Sequence, residues 1–423
     1  MAKPGILSIS DYSYSLPDER IARYPLPERD TSKLLIYKEG IITEDIYRNI
    51  SRQLPDHALL IFNDTRVVAA RLLFQKPGGG IIEIFCLEPH EQHGDLSTAM
   101  GQTAKVKWRC LVGGISKWKT GQVLEKKINS ANDREHGEIT LQASYIEKCA
   151  DYFVIELCWS PATLSFSEIL HHTGAIPLPP YLKRAAEEAD TTRYQTMYAR
   201  WDGSVAAPTA GLHFTGNIFN QLKEKNIQSD FITLHVGAGT FRPVKTMTIQ
   251  EHVMHAEFIN ITRPTIENIM QHPGNIVAVG TTSLRTIESL YWLGVKKRED
   301  GSQKTEDRGP ETPELSQWEA YELADKNIPV KEALQALLDW MDSSKLEQVV
   351  AKTRLLVAPG YTFKIVNGLI TNFHQPQSTL LLLIAAFAGD KWRELYDYAL
   401  EHDFRFLSYG DGCLLWPDSK SRL

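Results

Sequence analysis

The sequence has few cysteines and no long apolar segment, and each absence excludes a class of protein. Five cysteines are scattered over 423 residues without a C-x-x-C pair, which argues against a disulfide framework or a zinc ribbon and suits a reducing compartment. The longest apolar run, Leu380–Ala388, is about half as long as a membrane-spanning helix. The first residues, MAKPGILSISDYSYSL, lack the apolar core of a signal peptide. We therefore expect a cytoplasmic globular protein without membrane contact, in which Leu380–Ala388 is a buried helix.

The chain also lacks a positive net charge and the phosphate-binding loop of ATPases. Its formal charge is −6, which argues against nucleic acid as a partner for the surface as a whole. No G-x-x-x-x-G-K-[ST] motif occurs, so nothing supports ATP hydrolysis. Residues 105–127 are a local exception, with seven Lys or Arg against one acid and with Trp108 and Trp118 between them. This stretch is either a solvated strand face or a surface that contacts nucleic-acid phosphates.

Strand and turn patterns divide the chain into two parts. Its length exceeds that of most single cores, which predicts one large domain and one smaller domain. Residues 77–157 contain about five short strand-like stretches separated by turn residues, without a helical pattern, and predict a small β-barrel or sandwich. In residues 1–76 and 158–423 the pattern is that of strands alternating with helices. These flanking parts predict a large mixed α/β domain.

Residues 296–352 differ from the rest of the predicted α/β domain. The stretch KKREDGSQKTEDRGPETPE is charged and contains Pro and Gly, so it predicts a surface loop. Leu334, Leu337, Leu338 and Met341 follow at helical spacing and predict an amphipathic helix on the surface of the α/β domain. We expect this segment to lie outside the catalytic centre.

Three apolar strands each end in a small polar turn that opens a helix. SVAA leads through PTAGLHFT into GNIFNQLKEKN, with Thr215 as the predicted N-cap, and NIVAVG leads into SLRTIESLYWL. GLIT leads through NFHQPQ into STLLLLIAAFAG. Such junctions meet at the carboxyl edge of a sheet, where ligands of α/β proteins bind.

Polar residues gather at these junctions and at the related NDTR and SYGDG segments. A single histidine after an apolar run is more often structural than catalytic, but several such junctions together predict a site. The candidates from the residues alone are Asn63, Asp64, Arg66, Thr209, His213, His235, Thr281, Thr282, Arg285, Asn372, His374, Tyr409 and Asp411.

Two other motifs are incomplete. HVGAGTF (235–241) has Gly237 and Gly239, as in nucleotide-binding and S-adenosylmethionine-dependent methyltransferase folds, but the third glycine is missing. EHVMHAE places His252 and His255 three residues apart, without the H-E-x-x-H pattern or a nearby cysteine. We therefore expect no metal site at His252 and His255. Gly237 and Gly239 indicate that the backbone approaches a ligand or another chain segment closely.

Taken together, the motifs resemble one family, the S-adenosylmethionine:tRNA ribosyltransferase-isomerases of queuosine biosynthesis. The similar stretches include NDTRVVAARL, GAIPLPPYLKR, RYQTMYA, GSVAAPTAGLHF, TLHVGAGTFRPV, MHAEF, GTTSLR, the segment APGYTFKIVNGLITNFHQPQ and FRFLSYGD. A further stretch near the start is YSLPDERIARYPLPERDTSKLL. The resemblance therefore covers most of the chain, in order.

The resemblance implies a reaction, a fold and partners. The family transfers the ribosyl group of S-adenosylmethionine to 7-aminomethyl-7-deazaguanine at the tRNA wobble position and isomerises it. The products are epoxyqueuosine in tRNA, adenine and methionine, so S-adenosylmethionine is a consumed substrate and no cofactor is implied. The implied fold is a large mixed α/β domain with a small all-β barrel domain inserted at residues 77–157. We expect a monomer that binds tRNA and S-adenosylmethionine.

The reaction requires acid–base groups and a site for a cationic donor. A modest base removes the acidic ribose C5′ proton, a donor helps adenine leave, and the attacking amine is neutral. By resemblance, the catalytic candidates are Asp64, His213, His374 and Asp411. Arg66 and Arg285 are assigned to phosphate or carboxylate, and adenosine to Gly237, Gly239 and Thr240. The remaining substrate-binding candidates are Asn63, Thr65, Thr209, Gly211, His235, Thr281, Thr282, Asn372 and Tyr409.

Three departures from the family pattern keep alternatives open. Residues 296–352 are atypical, Ala358 stands where an aromatic residue is common, and Gln375 stands where the family has leucine. A diverged paralogue with another acceptor is one alternative. A methyltransferase, based on HVGAGT, would release S-adenosylhomocysteine instead of adenine, and an RNA-binding module, based on residues 105–127, would not consume the donor.

Overall fold

The computed structural model describes residues 5, 7–93, 96–119, 121–129, 137–237, 246–300 and 312–417. The strands are β1 Lys33–Lys38, β2 Ile41–Ile46, β3 Leu59–Asn63, β4 Thr65–Val67, β5 Arg71–Gln75, β6 Ile81–Pro89, β7 Lys105–Gly113, β8 Val123–Asn129, β9 Glu138–Lys148, β10 Phe153–Ser160, β11 Gly174–Ala175, β12 Trp201–Ser204, β13 Gln228–His235, β14 Glu257–Thr262, β15 Ile276–Val279, β16 Glu314–Leu315, β17 Gln348–Thr353, β18 Gly368–Asn372 and β19 Gly412–Leu415. The helices are α1 Ile50–Gln53, α2 Leu96–Met100, α3 Phe166–Thr173, α4 Asp190–Arg193, α5 Gly216–Glu224, α6 Arg263–Gln271, α7 Thr281–Asp300, α8 Glu319–Glu322, α9 Val330–Ser344, α10 Thr379–Ala388 and α11 Trp392–Glu401.

A ten-stranded mixed sheet organises the α/β part of the molecule. Its order is β16-β17-β14-β13-β3-β15-β18-β19-β1-β2. The central strands β13, β3, β15 and β18 run parallel to one another. Strand β3 is buried along its whole length, as expected for a parallel strand covered on both faces. The carboxyl ends of these four strands therefore meet at one edge, and the prediction of a mixed α/β fold is confirmed.

Two of the three predicted strand–turn–helix units have the expected form. Strand β15 enters α7 directly, and β18 leads to α10, where the Ser378 side chain accepts a hydrogen bond from the Leu381 amide. Every residue of α10 from Leu381 onward is buried, as the apolar run predicts. In the part of the chain that the structure describes, no helix is long and apolar enough to span a membrane.

The first unit departs from the prediction, because SVAA does not form a strand of the main sheet. Only Ser204 lies in a strand, β12, which pairs with β4 in a separate two-stranded sheet. Strand β13 already pairs with β3 and β14, so no place beside it is left. A 3-10 helix at Thr209–His213 follows. A side chain at Gly211 would place its Cβ 1.8 Å from the Tyr198 hydroxyl oxygen, which explains the glycine.

A second, seven-stranded sheet is antiparallel throughout, in the order β11-β5-β6-β7-β10-β9-β8. Strands β6 to β10 match the five stretches expected from the sequence. The sheet also uses β5 and β11, and α2 interrupts a region in which no helix was expected. The Lys126 Nζ of β8 donates to the Thr173 carbonyl just before β11, 2.6 Å away, so the two edge strands approach each other.

The atypical segment 296–352 extends the main sheet. Lys296 to Asp300 belong to α7, so the predicted loop does not begin at Lys296. Strands β16 and β17 were not expected, and they continue the sheet beyond β14. Helix α9 is confirmed, with its predicted leucines and Met341 buried. Residues 301–311 lie outside the described part of the chain.

Candidate functional site

A cavity of about 1010 Å³ opens at the carboxyl edge of β15 and β18. Its volume is at the upper end of the range for small-molecule sites, about 300 to 1000 Å³. Seven predicted site residues line it, namely Thr209, Gly237, Thr281, Thr282, Arg285, Asn372 and His374. The predicted residues that are not in its lining are Asn63, Asp64, Thr65, Arg66, Gly211, His213, His235, Tyr409 and Asp411. Gly239 and Thr240 lie outside the described residues.

His374 lines the cavity immediately after β18. Its Nε2 shares a 2.9 Å hydrogen bond with the Thr371 hydroxyl. Its backbone is fixed on both sides, because its amide donates to the Tyr396 oxygen at 3.0 Å and the Tyr14 hydroxyl donates to its carbonyl at 2.5 Å. Burial lowers the pKa of His374 to about 3. The imidazole is therefore neutral at pH 7 and can accept a hydrogen bond.

A chain of hydrogen bonds connects the cavity wall to His213. The Thr209 hydroxyl donates to Asn372 Oδ1 at 2.8 Å, and Asn372 Nδ2 contacts His213 Nε2 at 3.4 Å. His213 Nδ1 lies 3.2 Å from the Arg29 carbonyl, and the ring stacks on Tyr47. Burial lowers the pKa of His213 to about 4. Since a carbonyl only accepts, Nδ1 carries the proton and Nε2 accepts from Asn372, so His213 orients the Asn372 amide.

Arg285 and Glu257 form a buried ion pair in the cavity wall. Their side chains are only 9% and 7% exposed, and Arg285 Nη2 donates to Glu257 Oε2. Arg285 Nε is buried and has no hydrogen-bond partner in the described part of the molecule. Thr281 and Thr282, at the start of α7, line the same cavity, and Arg285 follows them on this helix. The wall thus presents both charges together with a helix N-terminus.

The NDTR segment holds strands together behind the cavity. Asn63 bonds the backbone of β13 through both its amide nitrogen and its oxygen. Asp64 accepts from the Thr233 hydroxyl at 2.7 Å, and burial raises the pKa of Asp64. Thr65 Oγ1 lies 2.9 Å from His235 Nδ1, and burial lowers the pKa of His235 to about 4. These contacts join β3, β4 and β13.

The other predicted residues outside the cavity lining also make structural contacts. The Asp411 carboxylate accepts two backbone amides, at 3.0 and 2.8 Å. The Tyr409 hydroxyl donates to Asp190 at 2.9 Å, and burial raises the pKa of Tyr409. Arg66 is exposed and donates to the Ala199 carbonyl at 2.9 Å.

The basic stretch 105–127 is divided between paired and unpaired cations. Trp108 and Trp118 are buried in the second sheet's core, so neither offers a face for base stacking. Arg109 pairs with two glutamates, and Lys127 pairs with Glu138. The other five lysines form no ion pair with any described residue, namely Lys105, Lys107, Lys117, Lys119 and Lys126, of which Lys126 donates to the Thr173 carbonyl.

His252 and His255, considered above as metal ligands, line the cavity. Within the described ranges, no group of three or more His, Cys, Asp or Glu side chains is arranged to hold a metal ion.

Comparisons with known proteins identify the family. A family model described as "Queuosine biosynthesis protein" matches residues 9–415. A protein of Chlorobaculum parvum named S-adenosylmethionine:tRNA ribosyltransferase-isomerase is 35% identical over 97% of this chain and 100% of its own length. A protein of the same name from Magnetococcus marinus is 34% identical over 97% of this chain and 94% of its own. The chain belongs to the queuosine biosynthesis protein family. The enzyme class predicted from the motifs is thereby confirmed, and the methyltransferase alternative is not favoured.

A solved structure also matches this member of the queuosine biosynthesis family. It is a crystal structure of an S-adenosylmethionine tRNA ribosyltransferase from Thermotoga maritima, 28% identical. The match covers 96% of this chain and 99% of the other, with a TM-score of 0.43.

The cavity residues that reasoning from the sequence missed include four in the family motifs, namely Tyr181, Tyr194, Glu257 and Ser408. Each lies inside a motif that carried the family resemblance, so the motifs contained the signal. The Tyr181 hydroxyl and the Ser408 hydroxyl are 2.6 Å apart, and burial raises the pKa of Tyr181 to about 12. These residues come from segments that are not strand–turn–helix junctions, which is why the junction argument did not include them.

Among the described residues of the three departures from the family pattern, only Gln375 lines the cavity. Ala358 is fully buried elsewhere, and its amide donates to the Tyr321 hydroxyl oxygen of the atypical segment at 3.1 Å. No described residue of 296–352 lines the cavity.

Proposed function

We propose that this protein transfers the ribosyl group of S-adenosylmethionine to the aminomethyl nitrogen of a 7-deazaguanine in tRNA and isomerises it, with release of adenine and methionine. The observation that carries the proposal is the near-full-length match to proteins named for this activity. The large cavity at the edge predicted from the junction motifs supports it, because a donor and an acceptor nucleoside need a site of this size.

We further propose roles for the polar residues around this cavity. His374 lines the cavity as a neutral imidazole and hydrogen-bonds the reacting group of the substrate. Asn372 binds substrate, and His213 acts through Asn372 as a positioning residue. Asp64 and Asp411 support the site from behind, because their oxygens are engaged by Thr233 and by backbone amides.

The seven-stranded sheet is proposed to be an inserted barrel-like domain. The approach of its edge strands supports this, as does a hydrophobic cluster that includes Phe74, Trp108 and Leu157. Because β5 and β11 pair within the sheet, we propose an insert somewhat wider than residues 77–157. We also propose a cytoplasmic monomer that needs no cofactor besides the consumed donor. The five free cysteines suit a reducing compartment.

The test is incubation of the protein with labelled S-adenosylmethionine and tRNA that carries the aminomethyl-deazaguanine precursor. We expect equal amounts of adenine and methionine, and epoxyqueuosine in the digested tRNA. S-adenosylhomocysteine as the nucleoside product, with a methylated tRNA, would contradict the proposal and support a methyltransferase. Consumption of the donor with tRNA lacking the precursor would indicate a different acceptor.

A further inference from the structure

The buried pair of Arg285 and Glu257 has features that folding alone does not explain. Taking two charges out of water carries a large desolvation penalty, so a buried ion pair is weak evidence for a purely stabilising role. Buried polar groups are normally hydrogen-bonded, yet Arg285 Nε has no partner among the described residues. Both side chains border a large cavity instead of being enclosed by the core. The pair is therefore suited to interact with a charged ligand in the cavity.

A second feature of the wall favours a carboxylate at the same place. Helix α7 is twenty residues long, and its first intrahelical bond runs from the Leu284 amide to the Gly280 carbonyl at 3.1 Å. The amides of the three residues before Leu284 have no acceptor within the helix. They carry the positive end of the helix dipole, which attracts anions. Arg285 adds a full positive charge one turn further along.

We propose that Arg285 and the start of α7 bind the α-carboxylate of S-adenosylmethionine, while Glu257 binds its α-ammonium group. This inference rests on the proposed function, because it assigns one end of the donor to one wall of the site. The zwitterionic amino-acid end of S-adenosylmethionine presents a positive and a negative charge within a few ångströms. It therefore matches a cavity wall that carries both a cationic and an anionic side chain. A phosphate group would be attracted by Arg285 and repelled by Glu257 beside it.

The degree of burial also favours the amino-acid end of the donor over an RNA phosphate. The Arg285 side chain is 9% exposed and that of Glu257 is 7% exposed. A polynucleotide backbone is bulky on both sides of each phosphate, whereas an aminobutyrate chain is slender and ends in its charged groups. The carboxylate and ammonium groups can therefore approach these nearly buried side chains more closely than a nucleic-acid backbone can.

Calorimetry with two nucleosides tests the assignment. S-adenosylhomocysteine carries the amino-acid group, and 5′-methylthioadenosine lacks it but keeps the adenosine. Arg285→Gln is expected to weaken binding of S-adenosylhomocysteine at least tenfold, because charge-assisted hydrogen bonds are lost. The same variant should bind 5′-methylthioadenosine within about twofold of the wild type. Arg263→Gln is the matched control, since Arg263 pairs with Asp342 away from the cavity, and it should change neither affinity.

A second variant keeps the test valid if Arg285→Gln does not fold. Arg285→Met combined with Glu257→Leu removes both charges together, which proteins tolerate better than an unpaired buried charge. This double variant should retain 5′-methylthioadenosine binding and lose S-adenosylhomocysteine binding. Unchanged affinity for S-adenosylhomocysteine in a folded variant would overturn the assignment, and so would an equal loss for both nucleosides. Filter binding of tRNA to the same variants completes the test: a loss confined to tRNA affinity would also overturn the assignment and would assign the pair to a phosphate.

The test of this subsite can fail or succeed independently of the test of the proposed reaction. If the wild type binds S-adenosylmethionine through this pair but releases no adenine with precursor tRNA, the proposed reaction fails and the subsite stands. If turnover is normal and the variants bind S-adenosylhomocysteine like the wild type, the subsite fails and the reaction stands.

Discussion

His374 and His213 occur in similar sequence patterns, but their imidazoles contact different groups. His374 borders the cavity and bonds Thr371. His213 lies behind the cavity wall, with one ring nitrogen directed to the Arg29 carbonyl and the other to Asn372. Burial keeps both rings neutral. A sequence pattern identifies such residues as a group, whereas their roles depend on which atoms face the substrate.

At the residue scale, we predict that His374→Gln lowers the rate of adenine release by about a hundredfold, since removing one hydrogen-bonding group directed at the reacting centre typically costs about that much. The affinity for S-adenosylhomocysteine should change only a few-fold, because the cavity keeps its shape. Single-turnover assays and calorimetry measure the two quantities. His402→Gln is the control, because His402 is exposed on α11's C-terminal side. A wild-type rate for His374→Gln would remove this residue from the proposed mechanism.

At the scale of secondary-structure elements, the atypical segment is integrated with the rest of the α/β part. Helix α9 packs closely on α7, and Tyr321 of α8 bonds the backbone on either side of Val357, at Leu356 and Ala358. The segment therefore supports α7 from the face opposite to the cavity. Its effect on the site is indirect, through the position of the helix that carries Arg285.

We predict that Gly294→Ala lowers the free energy of unfolding by about 1 to 3 kcal/mol, the usual cost of overpacking a core. The added Cβ would lie 2.1 Å from the Ala333 carbonyl oxygen, where α7 meets α9. Gly216→Ala is the matched control in α5, since its Cβ would meet nothing closer than 3.9 Å. The control should be neutral or slightly stabilising. Urea denaturation measures both, and equal stability of the two variants would contradict the packing argument.

At the scale of the whole molecule, cations without ion pairs are expected to dominate contact with tRNA. We predict that Lys117→Ala combined with Lys119→Ala weakens tRNA binding and flattens its dependence on salt. If both lysines meet phosphates, the slope of log affinity against log salt should fall by about 1.4 to 1.8. Lys127→Ala is the control, because Lys127 already pairs with Glu138. Filter-binding titrations at several salt concentrations measure the slope, and identical slopes would assign the stretch to a solvated face.

Acid stability is a second property of the whole molecule. Burial lowers the pKa of His213 and His235 to about 4 and that of His374 to about 3, against about 6.5 in the unfolded chain. Below pH 6.5 the unfolded chain binds protons that the folded protein does not. These three histidines therefore do not reduce the free energy of unfolding above pH 6.5. As the pH falls from 6.5 toward 4, their protonation in the unfolded chain lowers the free energy of unfolding.

We predict that His213→Gln reduces the slope of unfolding free energy against pH by up to about 1.4 kcal/mol per pH unit between pH 6 and pH 4.5. Comparing slopes removes the contributions of other titrating groups, which both proteins share. Urea denaturation at four pH values in this window provides the measurement, with His402→Gln as the control. A slope equal to that of the wild type would mean that His213 titrates in the folded protein as in the unfolded chain.

The sequence by itself determined the family, the mixed α/β class, the five strands β6 to β10 and the helices α7, α9 and α10. These features depend on local periodicity and on contiguous motifs, which can be read along the chain. It also placed Thr281, Thr282, Arg285, Asn372 and His374 at junctions that line the cavity. Parallel strands bring their carboxyl ends to one edge, so the junction argument held for the strands that are central in the sheet.

Only the tertiary structure decided which polar residues face the cavity and which hold strands together. Asn63, Asp64 and Asp411 follow the same sequence pattern as Asn372, yet only Asn372 lines the cavity, while the other three bond neighbouring strands. Glu257 begins an antiparallel strand far along the chain and meets Arg285 only through the sheet order. Such pairings depend on which segments become neighbours when the apolar strands are buried, and that proximity is not encoded in the spacing of residues along the sequence.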